Sequence, residues 1–329
     1  MNYDDSIYGF EPITELVLQE LIQSQAVQRL HGVLQHGITG LIGLTEPITR
    51  FEHSMGAMLL VRRLGGSLQE QIAALLHDVS HTAFSHVIDY VLDDHDGQSY
   101  HDGMKEAYMA TTDLPDILRR HAYNWADFVD EEPYTLLEQP SPRLCADRID
   151  YFLRDCVGLG LATQADVDRA VADLVVGNGR IALKTIEIAR WFGDTFMAAD
   201  DASWANFREV GLYELTARAI RRGLEISAIV QDDLWLTDEV LWQKLRSTED
   251  AYLNELLAQV SVETEFVWDE ANPTFRVSTK LRSVDPDVLG EDGELRPLST
   301  LDFEFAARRE AYLSRKQGAW PMRVISVGD

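Results

Sequence analysis

Apolar residues recur at three- and four-residue spacing through most of the chain between residues 15 and 257, and this pattern limits the fold more than any other feature. Such spacing places apolar side chains on one face of an α-helix, and clusters of glycine, proline and aspartate divide the pattern into separate helices. After about Thr264 the pattern changes to alternating or β-rich runs, at residues 265–268, 275–279 and 322–327. The sequence therefore predicts a mainly α fold, with a helical domain over residues 1–260 and a small C-terminal α+β appendage over residues 261–329.

Two consecutive predicted helices bring polar side chains to their ends. A capping box at residues 67–70 (SLQE) begins a helix with a buried apolar stripe, and this helix carries His77 and Asp78 at its C-terminal end. The preceding helix runs from about His53 to Leu64 and stops at a pair of glycines, which are typical just past a helix end. His53 lies in its first turn.

A third helix is predicted from Ser141-Pro142, a hydroxyl N-cap followed by proline at the first helical position, to about Gly158. On a helical wheel four of its polar side chains share one narrow face: Asp147, Arg148, Tyr151 and Asp155. A separate apolar stripe faces the core: Cys145, Ile149, Phe152 and Cys156. Asp150 and Arg154 occupy the remaining side, where we interpret them as a structural acid–base pair at i, i+4.

Histidine is concentrated in one part of the chain. Six of the nine histidines lie between residues 53 and 101, and five of these are candidate site residues: His53, His77, His81, His86 and His101. The adjacent pair His77-Asp78 offers a nitrogen and an oxygen ligand, a mixed set that suits Mn, Fe, Co, Ni or Zn, with Mg also possible. We interpret the four remaining histidines as structural or surface residues: His31, His36, His95 and His121.

The net charge of −26 argues against binding to duplex nucleic acid, because the summed field repels a polyanion. A small phosphorylated molecule can still enter a site where a metal and a few arginines reverse the local sign. The first residues lack a signal-peptide pattern, and no apolar run is long enough to cross a membrane. Two cysteines too far apart on one helix to form a disulfide indicate reduced thiols, so we expect a cytoplasmic protein without a membrane partner.

Three segments together resemble the HD-domain superfamily of metal-dependent phosphohydrolases: residues 50–54 (RFEHS), 77–78 (HD) and 146–151 (ADRIDY). The match is closest to the deoxynucleoside triphosphate triphosphohydrolases and covers roughly residues 25–160. The resemblance implies an HD-domain helical bundle and one bound divalent metal ion. It also implies an enzyme that hydrolyses phosphate ester or anhydride bonds in a nucleotide.

The resemblance assigns a role to each matching position. The metal ligands would be His53, His77, Asp78 and Asp147, with metal-bound hydroxide attacking phosphorus. Residues 77–86 (HDVSHTAFSH) resemble the run in which His81 stabilises phosphoryl charge and His86 is the general acid, with Asp89 and His101 as its proton relay. The substrate contacts would be Gln35, Arg50, Arg148, Tyr151 and Asp155. Arg50 and Arg148 would meet phosphate charge, and Gln35, Tyr151 and Asp155 would lie near the sugar.

The chain also departs from that family. Ser80, Thr82 and Ala83 stand where glycines and a proline are common, and the effector-binding extensions of the mammalian enzyme are absent, so allosteric activation is not carried over. Two rivals use the same scaffold, a phosphomonoesterase or nucleotidase and a phosphodiesterase. A second ion held by His81 and His86 is a further alternative, as is a non-catalytic nucleotide-binding regulator. Homo-oligomerisation is expected from the resemblance.

Overall fold

The computed structural model describes residues 1–94 and 97–325. Its α-helices are α1 (Leu16–Ile22), α2 (Gln25–Arg29), α3 (Ile38–Leu41), α4 (Arg50–Arg63), α5 (Leu68–Leu76), α6 (Val87–Val91), α7 (Tyr100–Ala110), α8 (Leu114–Arg120), α9 (Ala146–Gly158), α10 (Gln164–Asp173), α11 (Ile186–Ala199), α12 (Phe207–Glu225), α13 (Asp238–Arg246), α14 (Ala251–Gln259), α15 (Leu298–Leu301) and α16 (Phe303–Lys316). Helices hold 53% of the chain and strands 11%, which agrees with the prediction of a mainly α fold.

The strands are short. They are β1 (Asn2–Asp5), β2 (Gly9–Pro12), β3 (Leu174–Gly177), β4 (Arg180–Leu183), β5 (Glu265–Trp268), β6 (Phe275–Val277), β7 (Asp287–Leu289), β8 (Leu295–Pro297) and β9 (Trp320–Ile325). They form an antiparallel β1-β2 hairpin, an antiparallel sheet in the order β5-β9-β6, and a sheet in the order β3-β4-β7-β8 in which β4 and β7 are parallel.

The strands predicted after Thr264 are present as β5, β6 and β9, although the end of the third run, residues 326–327, lies outside the described residues. The first four strands were not predicted. The four-stranded sheet pairs β4 with β7 and so joins residues from both sides of position 260. The division into domains at residue 260 stays a prediction.

Caps explain where α4 and α5 begin. The Thr49 side chain accepts a hydrogen bond from the Glu52 backbone N–H, and the Glu52 carboxylate accepts one from the Thr49 N–H, so α4 begins at Arg50, before the predicted start. Ser67 caps α5 as predicted, by accepting a bond from the Glu70 N–H. The Glu70 carboxylate completes no capping box, because it accepts a bond from the backbone of Leu136.

The predicted start of α9 is wrong. Ser141-Pro142 forms a cis peptide bond outside the helix, and α9 begins at Ala146 with Cys145 as its N-cap. The backbone N–H of Ala146 donates to the Leu136 carbonyl at 2.7 Å, and that of Asp147 donates to the Leu137 carbonyl at 3.2 Å. A separate chain segment therefore accepts hydrogen bonds from the first backbone N–H groups of α9, and this determines where the helix begins.

The core of the predicted site is the contact of α4 with both α5 and α9. The α4 side chains of Met55, Met58 and Leu59 are fully buried, as are Leu75 of α5 and Ile149 of α9. Because α4 packs between two partners, residues 53–61 are buried on every side of the helix. Both cysteines are free and buried, and none of the described helices has the length and apolar character of a membrane span.

Candidate active site

The four predicted metal ligands converge from three helices. His53 lies in the first turn of α4, His77 at the C-terminal end of α5 with Asp78 directly after it, and Asp147 in the first turn of α9. The Nε2 atoms of His53 and His77 are 3.1 Å apart, and Asp147 Oδ1 is 3.0 Å from the first and 3.5 Å from the second. Oxygens of Asp78 lie 3.6 Å from His53 Nε2 and 3.5 Å from His77 Nε2. His53, His77 and Asp147 therefore offer three ligand atoms that lie within 4.8 Å of one another, and Asp78 lies beside them.

Hydrogen bonds at the far side of each imidazole set its orientation. His53 Nδ1 donates to Asp150 Oδ2 at 2.8 Å, and His77 Nδ1 donates to the Ala74 carbonyl at 2.7 Å. With the proton on Nδ1, each Nε2 presents a lone pair toward the shared centre, which is how metal-binding histidines are held in proteins. Two imidazole nitrogens and two carboxylates fit a divalent transition metal, and they also admit Mg.

The electrostatics of these residues favour a cation at their centre. Burial lowers the pKa of His77, but Asp78 and Asp147 together raise it to about 10. Burial also opposes protonation of His53, and hydrogen bonds to Asp147 and Asp150 nevertheless raise its pKa. Carboxylates that stabilise a proton on both imidazoles will also stabilise a divalent ion in the same place, so the residues fit the metal that the sequence predicts.

Asp78 links the metal ligands to their neighbours. Its Oδ2 accepts a hydrogen bond from Arg50 Nη1 at 2.6 Å, and its Oδ1 lies 3.1 Å from His81 Nε2. Burial raises the pKa of Asp78, but Arg50, His77 and His81 outweigh this and hold it well below its usual value. The carboxylate is therefore ionised and held in one position.

The three predicted catalytic histidines lie together beside Asp78. The ring of His81 stacks on that of His101 with centroids 3.8 Å apart, and the ring of His86 meets His81 edge-on at 5.0 Å. His86 Nδ1 lies 3.2 Å from Asp89 Oδ2, and the other Asp89 oxygen accepts the backbone N–H of Tyr100. Burial and then Arg50 lower the pKa of His86 well below its usual value, so its imidazole is neutral at pH 7. The expected pairing of His86 with Asp89 is present.

The arrangement of the same three histidines is compatible with the alternative of a second metal ion. One ring nitrogen of each lies within 4.8 Å of the others, a spacing that admits a shared cation. His81 Nδ1 is buried and has no hydrogen-bond partner among the described residues.

Four of the five predicted substrate contacts line one cavity with the metal ligands: Gln35, Arg50, Arg148 and Tyr151. Gln35 Oε1 is buried there without a partner in the described part of the chain, which leaves it free to meet a ligand. Arg148 Nη1 donates to the carbonyls of Gln139 and Arg143, and its Nη2 donates to Glu138 at 3.2 Å.

Asp155, the fifth predicted contact, is placed differently. Its carboxylate is fully buried, with Oδ1 2.9 Å from His36 Nε2 and Oδ2 accepting the indole N–H of Trp204 at 2.7 Å. The side chain lies behind the cavity wall formed by His36 and Trp204. A direct contact from Asp155 to a substrate would require both of these bonds to open.

The roles of several residues in the site were not predicted from the sequence. Asp150 pairs with Arg154 as predicted, but it is also fully buried and orients His53, which was not predicted. His36 belongs to the cavity wall and not to the surface, and the sequence held no signal for it. Of the other three histidines, His31 stacks on Phe51, His121 lies beside Glu20, and His95 lies outside the described residues.

The cavity has two chemically different ends and a volume of about 330 Å³. The polar end holds the predicted metal ligands and the predicted catalytic histidines. The other end is aromatic, lined by Tyr151, Phe196, Trp204 and Tyr213. Tyr151 connects the two, with its ring edge-on to His53 at 6.3 Å and to Trp204 at 5.0 Å. Lys280 and Arg282, which the sequence analysis did not select, also reach the cavity.

Comparisons with known proteins agree with this geometry. The family model of the HD domain matches residues 50–155. The metal-dependent phosphohydrolase cns2 of Cordyceps militaris is 39% identical over 322 residues, which cover 95% of this chain and 92% of that protein. The uncharacterized protein YdhJ of Bacillus subtilis is 36% identical over 321 residues, 97% of this chain and 98% of its own.

Solved structures show the same fold. A crystal structure of a phosphohydrolase from Bacteroides thetaiotaomicron superposes with a TM-score of 0.71 at 17% identity, covering 92% of this chain and 94% of that one. A hypothetical protein from Aquifex aeolicus gives a TM-score of 0.70 at 21% identity, with 93% of each chain covered.

Proposed function

Since this chain belongs to the HD-domain superfamily of metal-dependent phosphohydrolases, we propose that it hydrolyses a phosphate ester or anhydride bond in a nucleotide, with a deoxynucleoside triphosphate as the leading candidate. The observation that carries the proposal is a single cavity with a His/Asp metal centre at one end and an aromatic wall at the other. A phosphate fits the first end, and a base or sugar fits the second.

Each residue of the site has a separate role in the proposed reaction. His53, His77, Asp78 and Asp147 would hold a divalent ion, which would supply Lewis acidity. Asp150 fixes the His53 ring through Nδ1, and Arg50 holds Asp78 in place. Because these groups are preorganised, they need little rearrangement as charge develops on the phosphate.

His86 is proposed as the proton donor to the leaving oxygen. Its Nδ1 faces Asp89, which leaves Nε2 for the substrate. Burial, Arg50, His101, Arg282 and Lys280 all lower the pKa of His86 in the substrate-free protein. A bound phosphate neutralises these cations and raises that pKa, so the imidazole becomes a competent acid when substrate is present.

Four further properties remain proposals: the location, the partners, the oligomeric state and the metal content. The buried, unpaired cysteines favour a cytoplasmic location, and the acidic net charge disfavours duplex nucleic acid as a partner. Homo-oligomerisation is proposed from the family resemblance. One metal ion per chain is proposed, and measuring metal content separates one ion from two.

One observation favours the phosphomonoesterase or phosphodiesterase rival. Asp155, the expected sugar contact of a triphosphohydrolase, already has both carboxylate oxygens bonded to His36 and Trp204. A site that does not use Asp155 has less reason to require a free sugar hydroxyl.

The test supplies Mn, Mg, Co or Ni to metal-stripped protein and measures phosphate, pyrophosphate and triphosphate release from nucleotides and p-nitrophenyl phosphate. Triphosphate release from a deoxynucleotide is the expected result, and release of single phosphates would establish the monoesterase instead. His77→Ala and Asp78→Ala should abolish turnover with the fold retained, whereas His121→Ala, a histidine outside the cavity, should not. Saturable nucleotide binding without turnover under every metal would indicate the regulator and overturn the proposal.

A further inference from the structure

The segment between β6 and β7, residues 278–286, crosses the cavity and is here called the bridging segment. Its ends belong to different sheets, since β6 is in the three-stranded sheet and β7 in the four-stranded sheet. Four of its residues line the cavity: Lys280, Leu281, Arg282 and Ser283.

The bridging segment is held at several points. Thr279 Oγ1 accepts the Tyr90 hydroxyl at 3.1 Å, and the Arg282 backbone N–H donates to Asp200 Oδ2 at 3.2 Å. Ser283 is buried and accepts a bond from Arg309 Nε, while Val284 is fully buried. The backbone that carries Lys280 and Arg282 is therefore held in place by the fold.

The side chains of Lys280 and Arg282 bond only to neutral acceptors in the described part of the chain. Lys280 Nζ donates to the Gly97 carbonyl at 3.4 Å, and the Arg282 guanidinium donates to the Lys280 carbonyl and to the Gln98 side chain. Four lysines and arginines line the cavity, and of these Lys280 and Arg282 are the two without a carboxylate partner in the described residues. Charges held this way are available to an anion that enters the cavity.

The two arginines expected to meet phosphate are less available. Arg50 is bonded to Asp78 and Ser85, and Arg148 is bonded to Glu138 and to backbone carbonyls. Lys280 and Arg282 also act on His86, since both lower the pKa of its imidazole. They also line the same cavity as the predicted catalytic histidines and metal ligands, where they can meet a substrate that is bound at the metal centre.

We propose that Lys280 and Arg282 form a second anion subsite, which binds a phosphate group other than the one held at the metal centre. The substrate class is then a compound with at least two phosphate groups, such as a nucleoside polyphosphate. This inference rests on the proposed function, and it adds to the metal centre a specificity element from the C-terminal part of the chain. Arg282 can bind phosphate through two N–H groups, and Lys280 acts as a point charge.

The test compares inorganic phosphate, pyrophosphate and tripolyphosphate as ligands of the metal-loaded protein by calorimetry. The double variant Lys280→Ala/Arg282→Ala should weaken tripolyphosphate binding by at least about tenfold more than it weakens phosphate binding. The matched control is Lys184→Ala/Arg246→Ala, an exposed lysine and arginine elsewhere on the chain, and it should leave all three affinities unchanged.

A second, more conservative double variant distinguishes the loss of charge from a folding defect. Lys280→Gln/Arg282→Gln removes the charges but keeps polar side chains, and it should show the same loss of preference for tripolyphosphate. An equal loss for phosphate and tripolyphosphate would overturn the subsite, as would no loss for either.

The binding measurement also separates this inference from the proposed function. If the wild type turns over no nucleotide but the charge-dependent preference for tripolyphosphate persists, the subsite stands and the proposed function fails. If nucleotides are hydrolysed and the variants bind tripolyphosphate normally, the proposed function stands and the subsite is wrong.

Discussion

At the scale of single residues, Asp150 shows how the site depends on a side chain that does not touch the metal position. Its carboxylate accepts bonds from His53 Nδ1 at 2.8 Å and from Arg154 Nε at 2.8 Å, and it is fully buried. It therefore fixes both the proton and the ring orientation of His53, which leaves Nε2 free to bind a cation.

Replacing Asp150 by asparagine tests this role. The amide of the introduced side chain can present N–H where His53 needs an acceptor, so we expect metal affinity to fall by about 10- to 100-fold, measured by competition with a chelator. The matched control is Asp116→Asn, which weakens an exposed aspartate–arginine pair with Arg119 on α8. Metal affinity unchanged in the Asp150 variant would show that His53 is oriented without it.

At the scale of elements, the close packing of α4 on α9 depends on Gly56. A Cβ atom at this position would lie 2.0 Å from both Arg154 Nη2 and Asp150 Oδ1. The absence of a side chain on α4 therefore makes room for the buried Asp150–Arg154 pair, which in turn supports His53.

Gly56→Ala should destabilise the fold, because the pair cannot move without leaving buried charges poorly bonded. We expect the free energy of unfolding to fall by about 1–3 kcal/mol, the usual cost of overpacking, measured by urea denaturation. Gly103→Ala is the control, since Gly103 lies in the exposed part of α7 with no atom within 4 Å of the added Cβ. That variant should be neutral or slightly stabilised by better helix propensity. A Gly56 variant as stable as the wild type would contradict the packing argument.

Local signals made α4 and α5 predictable, and tertiary contacts made α9 less so. Ser67 caps α5 through its own side chain, so the sequence contains the whole reason for that start. The first backbone N–H groups of α9 donate to the carbonyls of Leu136 and Leu137, which belong to a separate segment. No sequence motif near Pro142 therefore indicates where α9 begins. The set of His53, His77, Asp78 and Asp147 was assigned through the resemblance to the HD-domain superfamily, and the fold brings these side chains close together. Their role as metal ligands stays a prediction.

Two parts of the structure were missed for different reasons. The β3-β4 hairpin turns at Asn178-Gly179, both with positive φ, and this dipeptide is a known hairpin signal that the sequence analysis overlooked. No sequence motif marks Lys280 and Arg282. They line the cavity because the segment that carries them connects β6 and β7, which belong to different sheets.

At the scale of the whole molecule, a strongly negative net charge contrasts with a cavity whose charges nearly balance, since four lysine and arginine side chains face five carboxylates there. The chain carries −26 overall, yet the cavity gathers Arg50, Arg148, Lys280 and Arg282 around the metal ligands. The negative charge of the whole chain repels polyanions. Once the metal is bound, the metal ion and the nearby cations attract a small anion into the cavity at short range. The metal thereby links stability to function, because the same ion neutralises buried carboxylates of the folded protein.

Metal binding should therefore stabilise the fold, and more so as pH rises. In the metal-free protein burial lowers the pKa of His77 but Asp78 and Asp147 raise it to about 10, above its value of about 6.5 in an unfolded chain. The proton on His77 thus stabilises the metal-free fold fully below about pH 6.5, and this contribution is lost as pH rises through about 10. A divalent ion must displace that proton, so its apparent affinity increases over the same interval.

The difference in Tm between Mn-loaded and EDTA-treated protein should then widen from about pH 6 to about pH 8. Metal at about 100 times its Kd contributes about 2.7 kcal/mol, which corresponds to a rise in Tm of several degrees. His77→Ala removes both the proton and the ligand, so its two Tm values should stay close together at every pH. A wild-type difference that narrows as pH rises would mean that the ion does not compete with a proton on His77, and the ligand assignment would have to be revised.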